Sequence, residues 1–597
     1  MALLPVTESI ARILFKTGIP ASTGFIPQLL LFSGLLAGMI CTRNDGHLSI
    51  TIVQYTGESL RQKLKIVSSL VSVFVAVVIA WSSVSFIKIG LETKMIGFIP
   101  VRVFAAIIPV SFCIIAVRFA HAANLGGWKM IFPALSFVLG TAASFPLIAK
   151  IIWGFDMPDA VFDICDKFYL LAWYSKIPFV IFLIMAALGG TPLFVVMGGL
   201  ALLLLQASGG EMDSVAADIY AALTNTNIIA IPLFTVAGFI LSESRAGARL
   251  VNTFRCFFSW LPGGIIFASV IICAFFTSFT GASGVTILAL GGILYAVLSE
   301  HFEYPQKFSI GLLTSVGSIG LLFPPSLPLI LVGTISQTNI VHLFLGGIIP
   351  GVILVAAMII FGIAASLKIK IPPEKFDGRK ALYSLKGSSL EILLPVFLIA
   401  GYFTGFFSLV EIGAVAVLYI FIVEVFIYKD IKLSDIKNVF NKAIPIIGGV
   451  LSILALSKAV SYYIVDTQAP ANIASWLQNA FSSKYIFLLL LNLALIVVGC
   501  LMDIFSAILI VLPLIVPMGQ AYGIDPVHLG IIFLVNLEAG FITPPVGLNL
   551  FLASYRFQKP FVDICRHVFP FLLVRLVIVL LVTYLPWLTT FLVNLFR

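Results

Sequence analysis

Long apolar stretches separated by short polar loops make up most of this chain. About 20 consecutive apolar residues are enough for a helix to cross a bilayer. Such stretches occur at 24–41, 66–90, 99–120, 129–152, 177–206, 227–243, 260–299, 308–334, 341–366, 391–409, 411–428, 443–465, 485–520, 527–553 and 568–596. The pattern predicts an all-α polytopic membrane protein.

Two of the apolar stretches, 260–299 and 485–520, are too long for a single crossing. The first has TGASG at its centre (280–284) and the second has GCLMD (499–503). Glycine and polar residues at these points interrupt a helix and favour a turn. Each stretch is therefore predicted to form a re-entrant helical hairpin.

A Gly-x-x-x-Pro-Pro break occurs twice, each time inside an apolar stretch. Gly320, Pro324 and Pro325 recur 220 residues later as Gly540, Pro544 and Pro545. Backbone groups freed by such breaks are costly in lipid unless they are buried in protein or line a wet cavity, and paired broken helices are typical of a transporter's binding site. The spacing alone predicts a duplicated unit with an ion or substrate cavity.

Composition and charge agree with a membrane location. Hydrophobic residues make up 60% of the chain and charged residues 10%, a composition that excludes a soluble domain. The net charge of +9 lies largely in short loops, so it gives no sign of nucleic-acid binding. Loops rich in Lys and Arg mark the cytoplasmic side. This rule places 244–259, 367–390, 429–442 and 554–567 inside, and 207–226 and 466–484 outside.

With these loop positions, the two hairpins open to opposite sides of the membrane. Two hairpins of opposite orientation, each followed by a Pro-Pro-broken helix, predict an inverted-topology repeat with elevator-like transport. The segment 153–176 is predicted to be an acidic connector, and the Gly189–Pro192 break makes 177–206 a re-entrant or paired segment.

No enzyme signature is present in the sequence. Gly-x-Ser-x-Gly, His-Glu-x-x-His and P-loop motifs are missing, and the seven cysteines form no Cys-x-x-Cys pair. These observations argue against an enzyme, an ATP-driven pump and a transition-metal site. They leave a secondary transporter, with a stand-alone sodium/anion symporter as the alternative, and a channel possible in principle.

Several separated motifs resemble the large membrane subunit of tripartite ATP-independent periplasmic (TRAP) transporters. They are IPLFTVAGFIL (231–241), SIGLLFPPSLPLILVG (318–333), LFLGGIIPG (343–351), TGFFSLVEIGAVAVLYIFIVE (404–424) and GIDPVHLGIIFLVNLEAGFITPPVGLNLF (523–551). The front residues, with GHLSI at 46–50, look like the family's small membrane subunit. The chain thus resembles a fused small-plus-large permease.

The resemblance implies a domain order. It gives a small-subunit-like domain at 1–128, a connecting helix and acidic linker at 129–176, transport repeats at 177–366 and 391–597, and a basic cytoplasmic loop at 367–390 between them. It also implies a multi-pass protein of the bacterial inner membrane that imports a small solute, commonly an organic acid, with Na⁺ as coupling ion. A periplasmic solute-binding protein would deliver that solute. No arginine within a span is identified as a carboxylate clamp, so the anionic substrate is implied by the resemblance alone.

The breaks supply the candidate binding residues, because unwound carbonyls at helix ends and nearby oxygens suit a hard cation such as Na⁺. In the first repeat, Gly281, Ser283 and Gly284 are predicted to face Ser315, Ser318 and Gly320; in the second, Gly499 and Asp503 are predicted to face Asn536, Gly540 and Thr543. The plain alternative is that small residues only allow tight helix packing.

Two acids within spans have open roles. Asp503 is either an ion ligand or the N-cap of a helix at the hairpin turn. Glu538 is a proton carrier, a cation ligand or one half of an ion pair. One departure from the family is TGASGVTILALGG at 280–292, which lacks the Ala-Asp pair of many large subunits, so no role for that acid is carried over.

The predicted topology can be tested without a substrate. In a background with the native cysteines replaced, single cysteines at Ser214 and Ser483 should react with an impermeant thiol reagent from outside, because their loops lack the positive charge that retains a loop in the cytoplasm. A cysteine at Ser384 should react only after permeabilisation, and the cysteine-free protein should not react at all. Reaction of Ser214 and Ser483 from opposite sides would exclude the inverted repeat.

Overall fold

The computed structural model describes residues 1–44, 46–49, 58–123, 130–154, 156–366, 375–468, 472, 475–476, 481 and 483–596. Among these residues the only β-structure is one short antiparallel pair, β1 (Met95–Ile96) and β2 (Ile99–Pro100). Within the same ranges, 13 helices are long and apolar enough to cross a membrane, or up to 15 if each bent pair is one span. The all-α polytopic class is confirmed.

The helices follow one another with short connections. The first ten are α1 (Leu3–Phe15), α2 (Ser22–Arg43), α3 (Glu58–Ser85), α4 (Val101–Ala105), α5 (Ile107–Ala122), α6 (Ile131–Ala143), α7 (Phe145–Trp153), α8 (Asp159–Leu188), α9 (Leu193–Ala207) and α10 (Ser214–Leu223). The next ten are α11 (Ala230–Glu243), α12 (Ala246–Phe258), α13 (Gly264–Thr280), α14 (Ser283–Tyr295), α15 (Gln306–Val316), α16 (Leu327–Ser336), α17 (Ile340–Ser366), α18 (Gly378–Phe403), α19 (Leu409–Phe421) and α20 (Ile436–Asp466). The last six are α21 (Lys484–Leu501), α22 (Ile504–Ala521), α23 (Pro526–Gly540), α24 (Leu548–Phe557), α25 (Phe561–Tyr584) and α26 (Trp587–Leu595). Single 3₁₀ or π turns lie at Phe86–Gly90, Thr226–Ile229, Ala296–His301, Ile319–Leu322 and Ile422–Ile427.

Two segments predicted to be connectors are helical over much of their length. The acidic segment 153–176 lies mostly in α8, because Asp159, Asp163 and Asp166 recur at helical spacing with apolar residues between them. The basic loop 367–390 is described from residue 375, and α18 begins within it, where the Asp377 carboxylate accepts hydrogen bonds from the Arg379 and Lys380 N–H groups at 3.0 and 3.2 Å. The predicted outer loop 466–484 lies largely outside the described residues.

Two predicted spans are divided into helix pairs. The stretch 129–152 forms α6 and α7, which meet at Ser144 with a bend of 51°, and Pro146 lies in the first turn of α7, where its missing N–H is tolerated. The stretch 177–206 contains the end of α8 and all of α9, separated at Gly189–Pro192. The two helices pack against each other, and the choice between a re-entrant and a paired segment stays a prediction.

Packing divides the chain into two compact units. The first contains Leu3–Ile229 and Lys442–Pro470. Within it α20 lies against α2 so closely that a Cβ at Gly448 would come within 2.5 Å of the Ala37 backbone. The GHLSI segment, described except for Ile50, belongs to this unit and places the Leu48 carbonyl 3.0 Å from the Leu193 N–H. These units do not test the predicted domain boundaries, which remain a prediction.

The second unit contains Ala230–Asn441 and Ala471–Arg597, and its helices from the two predicted repeats alternate in space. Helix α14 packs on α24, α15 on α25, and α16 on α22. One buried apolar cluster joins them and consists of Ile287, Ile310, Ile542, Leu550, Ala553, Ile564, Val568 and Leu572. Since each repeat buries its apolar side chains against the other, neither repeat has a complete core alone.

One arginine in this unit is surrounded by three carboxylates. Arg249 on α12 donates to Glu391 at 2.5 Å, to Glu424 at 2.8 Å and to Asp430. The side chains of Glu391 and Glu424 are each only 1% exposed. Burial by itself lowers the pKa of Arg249, but the hydrogen bond to Asp430 and the charges of Glu424 and Glu391 outweigh it and raise the pKa above its ordinary value. The guanidinium therefore stays charged and fastens α12 to α18.

Removing this arginine should destabilise the second unit. Arg249→Ala leaves Glu391 and Glu424 buried without their counter-charge, a change that costs about 3–5 kcal/mol. The melting temperature of the purified protein in detergent should fall by several degrees. Arg379→Ala, at an exposed position on α18, is the matched control and should leave it unchanged. An equal melting temperature for both variants would contradict the structural role of Arg249.

Candidate functional site

The first hairpin consists of α13 and α14 and turns at Gly281. This glycine has φ of +64°, in the left-handed region that favours glycine, and its N–H donates to the Thr277 carbonyl at 2.9 Å. Its neighbour Ala282 is extended, and α14 begins at Ser283. A Cβ at Gly281 would lie 2.7 Å from the Leu327 side chain, so the turn packs on the start of α16.

The first broken helix follows as α15, one 3₁₀ turn, a gap around Pro324 and Pro325, and α16, with a bend of 46°. The Pro324–Pro325 bond and its counterpart Pro544–Pro545 are both cis. The 3₁₀ turn lies directly on the hairpin, since a Cβ at Gly320 would come within 2.1 Å of the Ala274 carbonyl oxygen. The Thr277 hydroxyl donates to the Gly317 carbonyl at 2.8 Å and so satisfies one carbonyl released by the break.

The second hairpin consists of α21 and α22 and turns at Met502. Asp503 is the N-cap of α22: its Oδ2 accepts from the Phe505 N–H at 3.0 Å and the Ser506 N–H at 3.2 Å, and its Oδ1 accepts from the Ser506 hydroxyl. Of the two roles predicted for Asp503, the structure shows the helix N-cap. Its role as an ion ligand stays a prediction.

The second broken helix repeats the contact between hairpin and break. A Cβ at Gly540 would lie 2.6 Å from the Gly499 Cα, so the end of α23 touches α21 at two glycines. The turn 541–547 is anchored on the hairpin, because the Gly547 N–H donates to the Cys500 carbonyl at 2.9 Å. The structure therefore brings the predicted residues Gly499 and Gly540 together.

The tip of the first hairpin faces the second repeat. The buried Ser283 hydroxyl donates to the Asn549 Oδ1 at 2.7 Å, and a Cβ at Gly284 would lie 2.5 Å from the Leu552 side chain. Helix α14 packs on both α24 and α15, and among the described residues the side-chain hydrogen bond of Ser283 goes to Asn549 and not to Ser315 or Ser318. Asn549 was missed in the sequence, although it ends the repeated motif EAGFITPPVGLN.

Ser315 and Ser318 instead contact a buried arginine. Arg575 on α25 is 2% exposed and donates through Nη1 to the Ser318 hydroxyl at 2.8 Å and through Nη2 to the Ser315 carbonyl. The same Nη1 donates to the Glu538 carbonyl at 2.9 Å and lies 3.5 Å from the Glu538 Oε2. Of the roles left open for Glu538, the structure shows the ion pair, with Arg575 as the partner.

Arg575 lies within the predicted span 568–596 and was not singled out in the sequence, where no arginine was identified as a carboxylate clamp. The signal was present in the sequence, because an arginine inside the apolar run FLLVRLVIVLLV is costly in a bilayer without a partner. Its partners could not be read from the sequence, because Ser315 lies 260 positions away.

A second polar group surrounds Asn536, which is fully buried. Its Nδ2 donates to the Asn492 Oδ1 at 2.8 Å, and the Thr583 hydroxyl donates to the same oxygen at 3.1 Å. The hydroxyl of Thr543 donates to the Ala539 carbonyl of its own helix. No hydrogen bond joins Asp503 to Asn536 among the described residues, so the predicted contact between them is not observed.

Several buried polar atoms in this region have no hydrogen-bond partner within the described residues. They are Glu538 Oε1, Asn536 Oδ1, Asn492 Nδ2, Asn549 Nδ2 and Arg575 Nε. Such atoms are rare in cores and need an explanation, for which a bound ligand is one choice. In the same ranges no group of three His, Cys, Asp or Glu side chains could hold a metal ion. Two of the five atoms are oxygens, one carboxylate and one amide, and three are N–H donors, a set that suits a small polar or charged solute.

Broken helices, hairpins and unsatisfied buried polar groups define a membrane transport protein. Residues 179–588 match the family described as "Tripartite ATP-independent periplasmic transporter, DctM component", and residues 1–126 match the DctQ component. The chain belongs to the TRAP transporter family and fuses both membrane components.

Relatives agree with this assignment. The chain is 32% identical to the C4-dicarboxylate TRAP transporter large permease protein DctM of Pseudomonas aeruginosa, over 65% of this chain and 90% of that protein. It is 28% identical to the isethionate TRAP transporter permease protein DctMQ of Oleidesulfovibrio alaskensis, over 86% and 78%. The sialic acid TRAP transporter large permease protein SiaM of Vibrio cholerae is 29% identical, over 66% and 93%.

Family membership confirms several expectations. The chain is a non-enzymatic, multi-pass permease of the bacterial inner membrane, and such permeases work with a periplasmic solute-binding protein. The alternative of a stand-alone symporter does not account for the DctQ match over residues 1–126.

The close contact at Gly320 leads to a prediction. Gly320→Ala should cost about 3 kcal/mol or more, because the new methyl group overlaps the Ala274 backbone and neither helix can yield easily. The variant should show a lower melting temperature and a smaller monodisperse fraction after extraction. Gly387→Ala, where no atom lies within 4 Å, should lower neither, because alanine is the better helix former at this exposed position. A wild-type melting temperature for Gly320→Ala would show that the hairpin does not hold the break.

Proposed function

We propose that this permease imports a small organic acid, with Na⁺ as the coupling ion, after receiving it from its solute-binding protein. The observation that carries the proposal is the paired arrangement of hairpin and break. Gly320 of the first break packs against α13, and Gly540 of the second break packs against α21. Two helix breaks, each closed by its own hairpin, are typical of inverted repeats that bind substrate and ions between them. The inverted topology and the elevator-like motion are part of this proposal.

The substrate class rests on the relatives and on the polar groups of the site. The relatives are named for C4-dicarboxylates, isethionate and sialic acid, which are all small organic acids. Asn549 Nδ2 is a buried donor without a partner among the described residues and suits an anionic group. Oxygens without a donor, Glu538 Oε1 and Asn536 Oδ1, suit Na⁺.

Reconstitution tests the proposal. The purified permease in liposomes, with a solute-binding protein from the same genome, is supplied with radiolabelled succinate, isethionate or N-acetylneuraminate. Uptake of one of these should require both the binding protein and an inward sodium gradient, because delivery and driving force are separate. Uptake that continues with choline in place of sodium would refute sodium coupling. Uptake without the binding protein would refute delivery.

Asp503 variants separate its two roles. Asn keeps one capping oxygen but not the charge, so Asp503→Asn should keep the melting temperature and weaken the apparent sodium affinity about tenfold or more if the carboxylate binds the ion. Asp503→Ala should in addition lose about 1 kcal/mol of cap energy.

Asp525→Asn is the matched control, because Asp525 caps α23 by the same two backbone bonds, at 2.8 and 3.2 Å, away from the hairpin tip. Its sodium dependence should equal that of the wild type. A wild-type sodium dependence for Asp503→Asn as well would leave Asp503 as a cap only.

A further inference from the structure

Arg575 lies between the two helix breaks and bonds to both. Its guanidinium contacts the Ser315 carbonyl and Ser318 hydroxyl of the first break, and the Glu538 carbonyl and carboxylate of the second. All four side chains are almost fully buried. Among the described residues, this group joins the ends of α15 and α23 through one charged side chain.

The acceptors around Arg575 are of the kind that an ion site uses. Ser315 lies in the last turn of α15 and Glu538 in the last turn of α23, where carbonyls lack helical partners and the helix dipole is negative. Two such carbonyls, a hydroxyl and a carboxylate make a set of hard oxygen ligands that suits a cation. A guanidinium occupies this position, and its planar fork of donors matches several oxygens at once.

We propose that Arg575 is a fixed internal cation that takes the place of a bound ion at the junction of the two breaks. It is a positioning residue that holds the breaks in register, and the coupling ions of the proposed function, on which this inference rests, bind at oxygens that Arg575 does not contact. Arg575 and Glu538 have opposite charges, so the junction is neutral as a pair. A neutral junction can move as one body without carrying net charge through the membrane.

Direct ion stabilisation tests this role. The full chain is purified in detergent, and its melting temperature is compared in NaCl and in choline chloride at constant ionic strength. Arg575→Ala removes the guanidinium and leaves a cavity lined by Glu538 and the freed oxygens, which Na⁺ should enter. The variant should therefore gain a sodium-specific rise at least about 2 °C larger than that of the wild type.

Three further variants separate ion replacement from loss of packing. Arg575→Lys keeps a cation in place, and Arg575→Met fills the cavity with an apolar chain, so neither should gain the extra sodium effect. Adding Glu538→Gln to Arg575→Ala removes the carboxylate and should abolish the gain. Arg566→Ala removes an arginine from the same helix at a side chain that is 76% exposed, and it should behave as the wild type.

The outcomes distinguish this inference from the proposed function. If sodium does not raise the melting temperature of the wild type but does raise that of Arg575→Ala, the result refutes sodium coupling and supports the fixed cation. An equal sodium effect in wild type and Arg575→Ala overturns the fixed cation. If Arg575→Ala assembles poorly, its monodisperse yield in the two salts replaces the melting temperature. A yield that recovers in NaCl alone supports the proposal. Equally low yields in both salts overturn it, provided that the double variant Arg575→Met plus Glu538→Gln is well folded.

Discussion

A helix that breaks inside a membrane must find partners for the backbone groups that it releases, and this constraint organises the second unit. In lipid each unsatisfied group costs several kcal/mol. Here the partners are the Thr277 hydroxyl for Gly317, the Cys500 carbonyl for Gly547, and Arg575 for Ser315 and Glu538. The close glycine contacts at Gly320 and Gly540 follow from it, because only backbone-to-backbone approach lets the hairpins reach the breaks.

Because some of these partners come from the other predicted repeat, the two halves of the second unit stabilise each other. Ser283 of the first hairpin bonds to Asn549 of the second break, and Arg575 joins both breaks. Arg249 acts similarly outside the breaks, where it is the shared counter-charge of Glu391, Glu424 and Asp430. In both places a guanidinium is suited to the task, since it stays charged and donates in several directions.

The sequence predicts the helices and breaks well because those depend on local chemistry. Apolar length locates the spans, and Gly and Pro locate Gly281, Gly320 and Gly540. Charge predicted a connector at 153–176 and a loop at 367–390, whereas Asp159–Leu188 and Gly378–Phe403 are helical, since charge indicates exposure and does not prevent a helix. Contacts across the repeats were not predictable. Asp503 and the Ser506 N–H that it caps are three residues apart in the sequence. Ser318 and Arg575 are 257 residues apart, and no periodicity reports a contact over such a separation.

The hydrogen bonds also distinguish the site oxygens that already accept a donor from those that accept none among the described residues. Both Asp503 oxygens bind the start of α22, and the Ser318 hydroxyl and Ser315 carbonyl bind Arg575. A cation binding there must first displace a charged or capping donor, which costs more than the net worth of an ordinary hydrogen bond, about 1 kcal/mol. Glu538 Oε1 and Asn536 Oδ1 carry no such cost, because no described donor reaches them. Residues two apart on a helix point to different sides, so these two oxygens of α23 lie on separate faces, and in this conformation each costs less to engage than the oxygens of the hairpin tip.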